Sequence, residues 1–431
     1  MQSRGVKAPT VVTTTPAVKI SVARVAAFEI LERVATTSDH SDDLLHGRRL
    51  AGLSQADRNL ATALVLGVLR WQIALDARVK PLLLRPEAPA QPIMTAIRLG
   101  AFQLLHMDRI PAHAALSESV ELVRAAGQAH AAGMVNAILR KLTRQAPAGK
   151  PLFETPAAVA ERLGHPAWLV ERWVANYGRA AAIGICEYDQ QEPKAGDLFG
   201  AADGEIGALP RLDDGSRLVA ELAAGSLTGA KRIWDCCAAP GGKTLMLTVR
   251  HPEAEVLATD VSPRRLKSLA ERLERDAPGS KVRTVEADAT ALPEAEGMFD
   301  LILCDVPCSG TGTLARNPEI RHHLRPSDLA RQAERQRALL GAALGRLAPG
   351  GRLLYSTCSL EPEENEQVVA SVAVEGVERV SLEPVLDGLK EQGVLAADAS
   401  VQGLVRDGFL RTLPGPGFQG DGFFAGLFVR S

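Results

Sequence analysis

The sequence predicts an all-α domain followed by an α/β domain built on a parallel sheet. Three observations carry this expectation. Residues 22–145 show apolar residues at helical spacing and no β-branched alternation. From about residue 206, short apolar runs alternate with helical patterns, as strands joined by crossover helices do. Four of those runs end in aspartate, which sets four carboxylates along one edge of such a sheet.

Taken in order, residues 1–19 read as a mildly basic, disordered tail without the sustained apolar stretch of a secretory signal. The helical domain spans 20–146. VARVAAFEILERVA, ADRNLATALVLGVLRW, IMTAIRLGAFQLLHM and AGMVNAILRKLTRQ supply its helices, divided by loops such as RPEAPAQP. Residues 147–205 read as a linker and small subdomain with one short helix at HPAWLVERWVANYG. The α/β domain fills 206–431. Its strands are KRIWD, EVLATD, VRTVEAD, FDLILCD and GRLLYSTCS, and its helices include SPRRLKSLAERLERDA and SDLARQAERQRALLGAALGRLA. FLRTLPGPGFQGDGFFAGLFVR reads as a closing antiparallel hairpin.

A chain of 431 residues calls for two or three domains, and 46% hydrophobic residues suffice for their cores. No apolar run reads as long enough to cross a membrane, and a reducing cytoplasm is the expected location. The cysteines stand at 186, 236, 237, 304, 308 and 358 without paired CxxC motifs, so neither a disulfide scaffold nor a bound metal is expected. The net charge of −2 hides an asymmetry. Residues 1–150 hold 19 Lys+Arg and 11 Asp+Glu, a balance of +8, leaving 30 and 40, or −10, for the rest. A basic amino half suits an anionic partner; a solvated helical surface is the alternative.

The stretch 235-DCCAAPGGKTLML-247 ends like a phosphate-binding P-loop. Counting back from Gly242-Lys243-Thr244 places Cys237 where that motif needs glycine, and Pro240 has no N–H to offer a phosphate. An NTPase is therefore disfavoured. What remains is a strand, a tight Gly-Gly turn and a helix start, which lets a ligand approach the backbone closely. With Asp235, Asp260, Asp288 and Asp305 at successive strand ends, a nucleoside ligand is favoured. Asp260 is placed to accept from ribose hydroxyls, and Asp288 to hold an adenine amino group.

The fourth strand runs into 305-DVPCSGTGTLARNPEIR-321 and the fifth into 355-YSTCSLEPEENE-366. Each carries a cysteine past a strand end on the ligand edge. Cys304, inside FDLILC, reads as a buried small hydrophobe. Cys308 and Cys358 lie in polar loops rich in donors, where reactive thiolates occur. Between Arg316 and Arg352, eight arginines face three acids, a local +5 that reads as a phosphate track.

CAAPGGK, DVPCSGTG and YSTCSLEPEENE together resemble the RNA cytosine-C5 methyltransferases of the Nol/Nop/Sun family. RNLATALVLGVLRW, RIPAHAALSESVELV and AGMVNAILRKL resemble the RNA-binding fold of the antitermination factor NusB. The resemblance covers about residues 20–431. It implies a Rossmann-like S-adenosylmethionine-dependent methyltransferase domain preceded by an all-α NusB-like domain. It implies that S-adenosyl-L-methionine is bound by Cys237, Ala238, Ala239, Pro240, Gly241, Gly242, Lys243, Asp260, Asp288 and Asp305. Cys358 is then the nucleophile and Cys308 aids product release, with Asp305 and Lys243 assisting. The implied partner is 16S rRNA before the small subunit is fully assembled, met by a monomer away from any membrane. Chemistry alone leaves the two cysteines open, because the cytosine-C5 DNA methyltransferases attack with the cysteine of a Pro-Cys pair. Three departures stand out: AGDLFG where relatives have LRxN, Arg211-Leu212-Asp213 where they have VQD, and His322-His323 where several have tryptophan. The competing functions are the same chemistry on another rRNA site or tRNA, and a non-catalytic RNA-binding factor, which the intact cysteines and loop oppose.

Overall fold

The computed structural model describes residues 20–431 apart from 38, 86, 146–153, 195 and 200–209; the expected tail at 1–19 lies outside them. The chain divides into two compact units, Met1–Lys150 and Pro151–Ser431.

The first unit is helical: α1 (Val22–Thr36), two short helices α2 (Ser41–Leu45) and α3 (Arg48–Ala51), α4 (Gln55–Val79), α5 (Gln91–His106), α6 (Ala112–Ala125) and α7 (Ala132–Leu142). Ala23, Ala27, Ile30 and Val34 of α1 recur at helical spacing and are buried against α4 and α5. Ser54 caps α4 by accepting from the Asp57 amide. At Gly67 a Cβ would sit 2.0 Å from Cζ of Phe102, so α5 approaches α4 this closely only because the position is glycine. The stretch Gln55–Leu82 is long and apolar enough, by length and composition, to cross a membrane, which corrects the expectation above. Asp57, Arg58, Arg70, Asp76 and Arg78 break the run to the eye. In the fold, nine α4 residues are buried in the helical core.

The second unit opens with α8 (Pro156–Arg162), α9 (Ala167–Tyr177) and α10 (Arg179–Asp189). They occupy the segment expected as a linker with one helix. Their core of Val159, Leu169, Val170, Trp173 and Ile185 includes Leu314 and Leu360 from the cysteine loops. Then come α11 (Asp214–Ser226), β1 (Arg232–Asp235), α12 (Gly242–Arg250), β2 (Glu255–Asp260), α13 (Pro263–Asp276), β3 (Val282–Glu286) and β4 (Phe299–Asp305). The chain continues through α14 (Ile320–His323), α15 (Pro326–Gly345), β5 (Leu347–Thr357), α16 (Glu366–Ser371), β6 (Val377–Val380), α17 (Glu383–Glu391), β7 (Val405–Arg406), β8 (Phe409–Arg411) and β9 (Phe424–Arg430).

The strands form one sheet in the order β3-β2-β1-β4-β5-β9-β8-β7, with β6 pairing β9. β3, β2, β1, β4 and β5 are parallel. β9 inserts antiparallel to β5, with Leu354 opposite Leu427, and pairs with β8 as the hairpin expected from sequence. The central strands are buried on both faces, as Leu301, Ile302, Leu303 and Cys304 in unbroken succession require. The short β6 and β7 were not expected. β1 and β4 are neighbours although β2 and β3 intervene in sequence, so strand order reverses between them. A crevice opens outside carboxyl ends at such a point.

Candidate active site

β1 ends at Asp235, and the chain turns through Cys236–Gly241 into α12. The Ala239–Pro240 peptide is cis, and Gly241 has φ 98°, in the left-handed region. A Cβ at Gly241 would also lie 2.1 Å from Cδ1 of Leu269, so this turn requires glycine twice over. A cavity of about 120 Å³ opens beside it. It is lined by Asp235, Cys237, Ala238, Ala239, Pro240, Gly241, Gly242, Lys243 and Asp305, and also by Leu212, Ser216 and Arg272. Those last three were missed; the only hint was Leu212, inside the segment matched to VQD.

Asp235 is buried, and its Oδ2 accepts from Thr244 Oγ1 at 2.8 Å. Its Oδ1 has no hydrogen-bond partner. Burial, opposed by the Thr244 bond, pushes the carboxyl up to about 7. An orphaned buried acceptor in a cleft fits a ligand that brings a hydrogen-bond donor. Asp260 is buried at the end of β2, its Oδ1 accepting from the Ser262 amide at 2.9 Å and its Oδ2 3.8 Å from Arg265 Nη1. Asp288 lies two residues beyond β3 and is exposed. Bonds from the Thr290 amide and hydroxyl hold its carboxyl below the usual range. Neither aspartate lines the cavity beside the glycine turn.

Lys243 Nζ lies 2.8 Å from Asp305 Oδ2, and Ser356 Oγ donates to Asp305 Oδ1 at 2.7 Å. Burial opposes the charge on Lys243, but the Asp305 carboxylate outweighs it and raises the ammonium above its ordinary value. Lys243 is thus an ion-pair partner, not a solvent-facing lysine at a helix start.

Beyond Asp305 and Thr357, the two loops bring Cys308 Sγ and Cys358 Sγ to 3.3 Å. The bond to Cys358 and burial push the Cys308 thiol well above its ordinary value, so Cys308 is held as S–H. Either sulfur of the pair can be the donor. Burial likewise keeps Cys186, Cys236 and Cys237 protonated and inert.

The loops are locked backbone to backbone. The Gly312 amide donates to the Cys358 carbonyl at 2.9 Å, and the Gly422 amide donates to the Gly312 carbonyl at 2.7 Å. A Cβ on Gly312 would lie 2.2 Å from the Gly422 carbonyl oxygen, so no other residue fits. From the other side, the buried Glu361 accepts from Arg172 Nε at 2.7 Å and from Trp173 Nε1 at 3.1 Å. The Tyr177 hydroxyl donates to the Leu360 carbonyl. The three-helix segment α8–α10 is thus a brace for the loop that carries Cys358.

The expected phosphate track is corrected in part. Arg316 pairs with Asp213 at 2.7 Å and with Asp421 at 3.1 Å. Arg321 is 2% exposed and donates to the Gly164 and Leu314 carbonyls. Arg325, Arg331, Arg335 and Arg337 are the exposed ones, at the start of α15 and along it. Within the divergent AGDLFG segment, the Leu198 amide donates to Asp214 Oδ2 at 3.0 Å.

Residues 226–429 match the family described as 16S rRNA methyltransferase RsmB/F, and residues 21–144 match the NusB family. The ribosomal RNA small subunit methyltransferase B of Xanthomonas campestris pv. campestris is 36% identical over 363 residues, 74% of this chain and 80% of that protein. Its counterpart in Sodalis glossinidius is 32% identical over 426 residues, 88% of this chain and 91% of that one. The crystal structure of PH0851 shares the fold, with a TM-score of 0.71 at 21% identity over 96% of this chain and 99% of that chain. The chain therefore belongs to the RsmB/F family of rRNA methyltransferases, with a NusB-family region ahead of its α/β methyltransferase domain.

Proposed function

We propose that this protein transfers a methyl group from S-adenosylmethionine to carbon 5 of a cytosine in 16S rRNA through a covalent bond between Cys358 and carbon 6. The observation that carries this is the thiol pair, 3.3 Å apart beside the Lys243–Asp305 ion pair at the carboxyl ends of β4 and β5. Family membership supports the substrate.

Carbon 5 of cytosine is too weak a nucleophile to take a methyl group unaided. Attack of the Cys358 thiolate on carbon 6 forms the S–C6 bond and shifts the C5–C6 π pair onto carbon 5. Asp305 accepts from the N4 amino group as charge redistributes through the ring, and Lys243 fixes that carboxylate. When bound, S-adenosylmethionine supplies the sulfonium-activated methyl that carbon 5 takes. The glycine turn, Asp235 and Asp260 hold and orient the donor. Solvent takes the carbon-5 proton, the C–H pair re-forms the C5–C6 double bond, and the S–C6 pair leaves on the Cys358 sulfur, restoring the aromatic ring. Cys308, held protonated, donates to the departing sulfur. The target base must leave its stack, which favours rRNA not yet buried in a finished subunit.

Bisulfite sequencing of 16S rRNA from a deletion strain tests this. One cytosine should lose its methyl mark and regain it on re-expression. A lost mark in tRNA or at another rRNA site redirects the substrate assignment, and an unchanged RNA population overturns it.

A further inference from the structure

Each reactive cysteine is followed by a serine, Cys308-Ser309 and Cys358-Ser359, and both serines converge on one carboxylate. Glu364 is fully buried. Its Oε1 accepts from the Ser309 amide at 2.8 Å and from Gln336 Nε2 at 3.0 Å. Its Oε2 accepts from Ser359 Oγ at 2.5 Å and from the Ser309 hydroxyl. The two hydroxyl oxygens are themselves 3.0 Å apart. Gln336 also donates to the Pro307 carbonyl at 2.9 Å, so one α15 side chain grips both the carboxylate and the residue before Cys308. The Tyr355 hydroxyl pins the Glu364 backbone by donating to its carbonyl at 2.6 Å.

These four donors are neutral groups. Burying a carboxylate among neutral donors is costly in desolvation, so a neutral amide would serve better if the position only filled space. A charged acceptor does something an amide does not. It makes shorter, stronger bonds and obliges both serine hydroxyls to donate to it. The backbone next to each cysteine is then fixed in both position and direction. Attack at carbon 6 is sensitive to such fixing, because an error of about 1 Å in aim costs on the order of a hundredfold in rate.

We infer that Glu364 is a positioning residue for methyl transfer: by clamping Ser309 and Ser359 it sets the separation of the two thiols and aims Cys358 at the ring. This rests on Cys358 being the attacking sulfur. The Glu364 carboxylate bonds to Ser309, Ser359 and Gln336 rather than to either thiol, and it acts through the two serines.

The test uses the full chain with Glu364→Ala and Glu364→Gln. Glu364→Ala should lower kcat on rRNA by roughly a hundredfold, with the dissociation constants for S-adenosylmethionine and rRNA unchanged. Glu364→Gln keeps the shape and can still bond both hydroxyls, so it should recover part of the loss. A second readout is the rate at which diamide closes a disulfide between Cys308 and Cys358 in the protein alone. Each closure removes two protons and two electrons from the thiols and reduces one diamide to its hydrazine. Glu364→Ala should slow it. That reaction needs neither RNA nor methyl donor, so it is independent of which sulfur attacks; an error in that assignment shows instead in adduct trapping. If Glu364→Ala does not fold, Ser309→Ala and Ser359→Ala each remove one leg of the clamp and should each lower kcat and slow closure. An unchanged closure rate, an unchanged kcat, or a loss carried wholly by KM overturns the inference.

Discussion

Cys308 Sγ stands 3.3 Å from Cys358 Sγ although 50 residues separate them in sequence. Only one sulfur can occupy carbon 6 of one ring, so the two substitutions should part company. Cys358→Ala should abolish both methylation and any covalent RNA adduct. Cys308→Ala should let Cys358 attack and then strand the RNA on the protein. Denaturing electrophoresis should show a slow band that depends on Cys358 and on S-adenosylmethionine. A band in the Cys358 variant and none in the Cys308 variant reverses the roles.

Asp260→Ala should weaken S-adenosylmethionine binding. Its buried carboxylate is an acceptor at the end of β2, and each ribose hydroxyl left without one costs about 1–3 kcal/mol. Titration calorimetry should show that loss and no tight binding of ATP. Unchanged affinity in the variant removes Asp260 from the site.

Asp235 makes stability depend on pH. Burial lifts its carboxyl in the folded protein to about 7, above the ordinary value of 3.8. Below the ordinary value both states hold the proton, and the group's contribution is fully present. Between there and about 7 only the folded state keeps it, so stability falls by roughly 1.4 kcal/mol per pH unit. Asp235→Asn has no proton to lose. Its melting temperature relative to the parent should therefore rise between pH 4 and pH 7 and then level off. A difference that is flat across that range contradicts the shift.

Arg172→Ala should destabilise the protein. Glu361 is 0% exposed, and removing its cation leaves a buried carboxylate with only the Trp173 bond. Such a loss is worth about 3 kcal/mol when fully buried, and less here because the Arg172 side chain is 30% exposed. Denaturant midpoints should fall, and turnover should slow because the loop that carries Cys358 loses its brace. Unchanged midpoints would mean that α9 merely abuts the loop.

The first unit carries +8 on residues 1–150. Deleting 1–145 should raise the dissociation constant for rRNA and flatten its dependence on salt, since fewer counterions are released. Filter binding over a salt series measures both. An unchanged slope assigns that unit another role.

What the sequence disclosed follows from how far each signal reaches. β1, β2, β4 and β5 were legible because strands buried on both faces are apolar nearly throughout, β3, half-exposed at the sheet edge, from its place in the strand–helix alternation, and the aspartates that end β1, β2 and β4 mark where those strands stop. Helices of the first unit were legible from their own periodicity. Of the α8–α10 brace only α9 was legible, at HPAWLVERWVANYG; the rest is short, and its apolar residues answer to Leu314 and Leu360, far along the chain. Arg316 and Arg321 read as surface charge because their partners lie 103 and 157 residues away, at Asp213 and Gly164. For the same reason the complete burial of Glu361 and Glu364, inside the acidic EPEEN, was not legible. Composition reports charge; only three-dimensional pairing reports what the charge holds.

The strand order has a kinetic consequence. β9 lies between β5 and β8, so the sheet closes only when a segment some seventy residues beyond β5 threads back beside it. The helical unit is built from contacts between successive helices and should fold quickly; the sheet unit, rich in distant pairings, should lag. Gly422, just before β9, supplies the amide that grips Gly312. Until that strand docks, the loop bearing Cys308 lacks one of its anchors, so the 3.3 Å pairing of the two thiols is completed late in folding.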